Sequence, residues 1–257
     1  MRKLTSLHLK IIALITMIID HIGLFLLNNT TTLYVVFRII GRISLPLYAF
    51  LIVEGITKSS KPLKYLLRML LIGIIFDFIS YIVMEVPVGT TLTTFSLSGL
   101  MLYFLTHKDF RLKFLSIIPI GITILSLYEI IPLSISYGLY GFILVIIFYL
   151  ANRFGKLIYN KNKLIDEQYL ISFITVTFFV FYSCLLYVFG DQLLHAIPNT
   201  LVDYKMQTYS LIACIFILCY NGNRGYTSPL IKWGFYIAYP LHVVILYIIY
   251  YIIVLVG

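Results

Sequence analysis

The sequence predicts an all-α, polytopic helical bundle that spans a membrane, and three observations carry that prediction. Apolar residues make up 61% of the chain and charged residues 11%, with a mean hydropathy of +1.01; soluble domains hold roughly half and a quarter. The apolar residues gather into runs of a length suited to a hydrocarbon layer about 30 Å thick. The gaps between runs alternate between basic and neutral or acidic, the pattern expected when Lys and Arg hold loops on the cytoplasmic side. The net charge of +9 arises in those gaps, and no basic-aromatic surface module of the kind that binds nucleic acid is visible.

Nine runs follow, at about 8–27, 33–56, 63–84, 91–106, 112–129, 137–151, 168–189, 207–220 and 233–256. Arg2, Lys3 and Lys10 open the first, a signal-peptide-like start with no small-residue cleavage site after it, so it reads as a span that stays. The gap from Asn28 to Thr32 is uncharged, and the next holds Lys58, Lys61 and Lys64. Glu85 stands alone in the third gap, Lys108, Asp109, Arg111 and Lys113 fill the fourth, and Glu129 stands alone in the fifth. Arg153, Lys156, Lys161 and Lys163 mark Asn152 to Glu167 as the one candidate cytoplasmic surface element. Asp191, Asp203 and Lys205, then Arg224 and Lys232, complete the series. The predicted topology is therefore a single integral domain over residues 1–257, N-terminus cytoplasmic and C-terminus extracytoplasmic. The fourth, sixth and eighth runs are short for a span. Cys184, Cys214 and Cys219 lie within apolar runs without metal-ligand spacing, so they read as small hydrophobes and no metal is expected.

Ionisable residues inside these runs are the candidates for function, because each costs a few kcal/mol in lipid unless it faces a partner or a cavity. Asp20 and His21 are adjacent in the first run, ~15 Å of helix beyond Lys10. His242 lies ~14 Å into the ninth run, so the two histidines share a level. Arg38 and Arg42 are four apart on one helical face, with Pro46 bending the helix beyond them. Asp77 and Tyr81 are four apart in the third run, Tyr239 and His242 three apart in the ninth, and Glu54 ends the second run before Gly55. Asp20 and Asp77 could simply neutralise Arg38 and Arg42 as a structural set. Adjacent helical residues point about 100° apart, so Asp20 need not bond His21, and Arg42 is its alternative partner.

The stretches His8 to Gly23, Phe37 to Gly55, Tyr137 to Gly141, Tyr220 to Gly225 and Phe235 to His242 together resemble the TraX family, in the family's order and across nearly the whole chain. That resemblance implies an integral membrane protein of the bacterial cytoplasmic membrane, an acetyl-CoA-dependent acyltransferase whose named family member acetylates the N-terminal amine of F-type pilin. The implied partners are the lipid bilayer and an acyl acceptor, a peptide or protein amine or a glycan or lipid hydroxyl.

The residues suit that chemistry. Acyl transfer needs a base for the acceptor's proton, and neutral imidazole serves near pH 7. His21 is the expected base, with Asp20 orienting or charge-balancing and His242 a second proton handler or a contact to the acyl group. Arg42, Arg38 or a tyrosine hydroxyl would stabilise the oxyanion. Lys58, Lys61, Lys64, Arg68 and the loop of Tyr220, Asn221, Gly222 and Arg224 are expected to cradle coenzyme A. Glu54, Asp77, Tyr81, Tyr137 and Tyr239 complete the polar set. The alternative reading is a proton-coupled transporter built on the same buried Asp, His and Arg residues.

Overall fold

A computed structural model of the chain describes residues 3–84, 89–131, 133, 135–161, 163–196 and 204–256. Arg2, Glu85 and Asp203 of the gap-charge argument lie outside the described residues. The helices are α1 (Ser6–Leu26), α2 (Thr32–Gly41), α3 (Ser44–Lys58), α4 (Pro62–Met84), α5 (Thr91–Leu105), α6 (Phe110–Lys113), α7 (Ile117–Leu127), α8 (Gly138–Lys161), α9 (Glu167–Ala196), α10 (Tyr204–Gln207), α11 (Ala213–Leu218) and α12 (Pro229–Val256). Among the described residues there are no strands, only two isolated bridges.

All nine apolar runs are helical. Among the described residues, seven helical segments are long and apolar enough to cross a membrane: α1, α2 with α3, α4, α6 with α7, α8, α9 and α12. The remaining two, Thr91–Leu105 and Tyr204–Leu218, are the short fourth and eighth runs. The sixth run differs from expectation: α8 continues through Asn152 and Arg153 to Lys161, a helix of 24 residues. Most of the expected surface loop is thus helix, because Leu150 to Lys161 holds helix-compatible residues and one glycine but no proline. The second run also breaks, between Gly41 and Ser44, earlier than Pro46 itself. Proline has no N–H to donate to the carbonyl four residues back, so the turn at Arg42 loses a helical bond.

The chain forms two compact units, one of residues 1–48 and 205–257, the other of residues 49–204. In the first, α1 packs against α2 and α12. Gly23 and Gly41 permit the α1–α2 approach, since a Cβ on Gly23 would lie 2.9 Å from the Phe37 Cβ and one on Gly41 would lie 2.2 Å from the Asp20 Cβ. Thr5 caps α1, its hydroxyl accepting from the His8 N–H while His8 Nδ1 accepts from the Thr5 N–H at 3.2 Å. Two further N–H groups at that helix start, of Ser6 and Leu7, donate to the carbonyls of Asn223 and Arg224 at 2.9 and 3.3 Å.

In the second unit α5 is the central helix, touched by α4, α7 and α8 and buried from Thr93 to Leu102. At 15 residues it extends roughly 22 Å, too short to face lipid along a whole span. Its hydroxyls are satisfied inside protein: Thr94 donates to the Ser136 carbonyl at 2.7 Å and Ser98 to the Phe142 carbonyl at 3.3 Å. Large apolar side chains such as Leu71, Phe78 and Ile82 of α4 are exposed, as expected of a surface solvated by lipid. The protein is a multi-pass, all-α membrane protein.

Candidate functional site

Asp20, His21, Arg38, Arg42, Tyr239 and His242 all belong to the first unit, and the structure groups them in two connected sets. Asp20 and His21 leave α1 in different directions, as neighbours on a helix must. Asp20 faces α2, where its Oδ2 accepts from Arg38 Nη1 at 2.8 Å and its Oδ1 stands 3.8 Å from Arg42 Nη2. Asp20 and Arg42 are 5% and 7% exposed, so this is a buried ion cluster. One carboxylate against two guanidiniums leaves the three side chains with one net positive charge. Gly41 floors the cluster, because any Cβ there would occupy the space of the Asp20 carboxylate.

His21 faces α12. Its Nδ1 lies 2.6 Å from Nε2 of His242, and His242 Nδ1 lies 2.9 Å from the carbonyl oxygen of Ala238, one turn earlier. The rings are 4.9 Å apart between centroids and 22° apart in plane, so they meet edge to edge through a hydrogen bond rather than face to face. The carbonyl fixes the protons. It can only accept, so His242 Nδ1 carries a hydrogen; in the neutral ring His242 Nε2 is then a lone pair and must accept from His21 Nδ1–H. His21 Nε2 is left unprotonated, the form a general base requires. His242 is 8% exposed, and the Tyr239 ring meets it edge-on at 6.1 Å.

Sequence reasoning anticipated the two histidines at one level and the pairing of Asp20 with α2. It left Asp20 either orienting His21 or balancing charge; in the structure Asp20 faces the two arginines, and the contact to His21 comes from His242, itself bonded to the Ala238 carbonyl. That backbone carbonyl has no sequence signature beyond its place four residues before a histidine. Gly41 and Tyr48 were not singled out; Tyr48, on α3, lies close enough to interact with Tyr239.

The other candidates stand elsewhere. Tyr220 is 1% exposed, its hydroxyl 2.9 Å from Ser6 Oγ, and the Asn221 N–H donates to the Leu4 carbonyl at 2.9 Å. Gly222 and Gly225 have φ of 81° and 78°, which lets the loop fold back onto the start of α1. The loop is therefore built around that helix end, with the Arg224 side chain exposed and close enough to interact with Lys10. Lys10 also lies 6.0 Å from the Phe235 ring.

Glu54, Lys58, Lys61, Asp77, Tyr81 and Tyr137 belong to the second unit. Lys58 Nζ pairs with Glu54 Oε2 at 2.5 Å and donates to Gln168 Oε1 at 3.2 Å, while Lys61 is exposed. Asp77 Oδ2 accepts from Thr93 Oγ1 at 3.0 Å, and Thr93 in turn shares a 2.8 Å bond with Thr90. Within their own units, Asp20 stands against both guanidiniums and Asp77 against the Thr93 hydroxyl. Tyr81 is half exposed on α4, and Tyr137 turns the chain into α8 with a φ of 58°. Among the described residues no group of three or more His, Cys, Asp or Glu is placed to hold a metal.

No solved structure matches the chain. The chain is 28% identical over 252 residues to the probable fimbrial assembly protein FimC, serogroup H1, of Dichelobacter nodosus, a match covering 94% of each sequence. The family model described as TraX protein matches residues 6–250, which include both histidines, the ion cluster and the loop against α1. By that match over nearly its whole length, the chain belongs to the TraX family.

Proposed function

We propose that this protein is an acyltransferase of the bacterial cytoplasmic membrane, moving an acetyl group from cytoplasmic acetyl-CoA to an amine or hydroxyl. The acceptor class this reading favours is the N-terminal amine of a pilin or another exported peptide, in keeping with family membership and with a relative named for fimbrial assembly. The observation that carries the proposal is the hydrogen-bonded pair His21–His242, which leaves a lone pair on His21 Nε2.

In this reading His21 Nε2 removes the proton from the acceptor nitrogen or oxygen as that atom attacks the thioester carbonyl. The new imidazolium is held by its Nδ1–H bond to His242, a charge-assisted bond stronger than the neutral one it replaces. Arg42 and Arg38, with Asp20 a cluster of net positive charge, stabilise the negative charge on the former carbonyl oxygen. When the carbon–sulfur bond breaks, His21 returns its proton to the departing thiolate, so the base is regenerated and the products are the acetylated acceptor and free thiol.

Two features weigh against proton-coupled transport through this cluster. The imidazole chain ends on a backbone carbonyl, which cannot pass a proton onward. Asp20 stands against the two guanidiniums of Arg38 and Arg42 rather than against either imidazole, so its carboxylate lies outside the hydrogen bond that joins the histidines.

The test is transfer of isotopically labelled acetyl from acetyl-CoA to a peptide by purified protein in lipid nanodiscs. Label is expected on a peptide with a free N-terminus and not on one with a blocked N-terminus. No label on any amine or hydroxyl acceptor, together with pH-driven flux in vesicles, would replace this reading with the transport one.

A further inference from the structure

The second unit contains a cavity of about 410 Å³ that none of the predicted site residues line. It lies where the C-terminal ends of α3 and α5 meet the C-terminal half of α8, and each of these leads into a gap that the charge pattern assigns to the cytoplasm. Lys108, Arg153 and Lys156 contribute three cations to its lining. Among the described residues, none of the three is ion-paired with a carboxylate. The nearest acid in sequence, Asp109, has its Oδ1 occupied by the Arg111 N–H at 3.0 Å, a cap on α6.

The rest of the lining fits one ligand chemistry. His107 Nδ1 accepts from the Asp109 N–H at 3.1 Å, so its Nε2 carries the hydrogen and is a donor. Tyr103 and Tyr149 supply aromatic surface, with the Tyr103 ring tilted 60° against the His107 ring at 5.8 Å between centroids. Ordinary topology-setting lysines and arginines are spread around a helical end toward headgroups. Here they converge, with a neutral donor and two aromatic rings, on a concavity within the roughly 300–1,000 Å³ typical of small-molecule sites.

We propose that this cavity binds the phosphate-bearing nucleotide end of the acyl donor, a multiply anionic adenine nucleotide. Arg153, Lys156 and Lys108 bind its phosphates, and Tyr103 or Tyr149 stacks on the base. The inference rests on the acyltransferase reading for the identity of the donor. A phospholipid headgroup offers the same phosphate chemistry without the base.

The experiment is calorimetric titration of the full chain in phosphatidylcholine nanodiscs with coenzyme A and with adenosine 3′,5′-bisphosphate, repeated in discs doped with phosphatidylglycerol. Wild type is expected to bind both nucleotides competitively. Arg153→Gln or Lys156→Gln is expected to weaken each about tenfold or more, the loss of one charge-assisted contact. Lys161→Gln, at the end of the same helix but outside the cavity, is expected to bind as wild type does. Coenzyme A binding with full affinity in both cavity variants would overturn the inference and leave the acyltransferase reading standing. Displacement of nucleotide by phosphatidylglycerol, with no preference for a base-bearing ligand, would make the cavity a headgroup site and also overturn it. Arg153-dependent nucleotide binding by a protein that transfers no acetyl would uphold a nucleotide site and remove the acyltransferase reading.

Discussion

Replacing His242 isolates what the second imidazole contributes, because it sits one bond away from the proposed base. His21 Nδ1–H donates to His242 Nε2 over 2.6 Å, and no substrate contact is needed of His242 in this account. Phenylalanine keeps the ring's bulk and removes the acceptor. The bond gains most when His21 is cationic, so its loss falls on the proton-transfer step, at the worth of a charge-assisted bond of about 1.5–3 kcal/mol. That corresponds to a fall of roughly 10- to 150-fold in kcat/KM. Glutamine places an amide oxygen near the position of the lost nitrogen, so His242→Gln should recover most of the rate. The assay is labelled acetyl transfer in nanodiscs, with monodispersity and thermal unfolding confirming that each variant is intact. Full activity in His242→Phe would refute the relay, and equal loss in both variants would refute the acceptor role.

Two further predictions concern the ion cluster beneath the relay. Asp20→Asn leaves the buried guanidiniums without their common counter-charge and should cost about 3–5 kcal/mol of stability, read as a large drop in thermal unfolding temperature in detergent; an unchanged temperature would contradict the cluster's role. Gly41→Ala drives a methyl group to within 2.2 Å of the Asp20 side chain, at its Cβ and carboxylate, and must push α1 from α2. It should cost about 1–3 kcal/mol and lower transfer, whereas Gly121→Ala, whose Cβ would meet nothing within 4 Å, should be silent in both measurements.

The apolar helices were legible because membrane insertion writes itself into composition: apolar runs are a property of consecutive residues. The pairing of Asp20 with the arginines of the second run and the shared depth of the two histidines were legible for a related reason, since a buried charge needs a partner and helical rise fixes its depth; that Arg38 makes the closer contact was not. Tautomer control was not legible, because the Ala238 carbonyl that sets it is backbone common to every residue. Asp77 likewise resolved onto Thr93, a hydroxyl among many in α5, instead of an arginine. The break at Arg42 precedes its cause at Pro46 by one turn, and sequence marks only the cause. Arg153 and Lys156 were read as loop charges because polarity signals exposure without saying that a helix continues. Their meeting with Lys108 depends on packing between segments about 45 residues apart, which no local pattern encodes.

The central claim is that His21 Nε2 takes the acceptor's proton. Single-turnover acetyl transfer by His21→Ala beside wild type, in nanodiscs with saturating acetyl-CoA and a free-amine peptide, tests it most directly. The account predicts a rate lower by about 10²- to 10⁴-fold, the usual contribution of a positioned base, in a protein that inserts and unfolds as wild type does. A variant that transfers acetyl at the wild-type rate would contradict it.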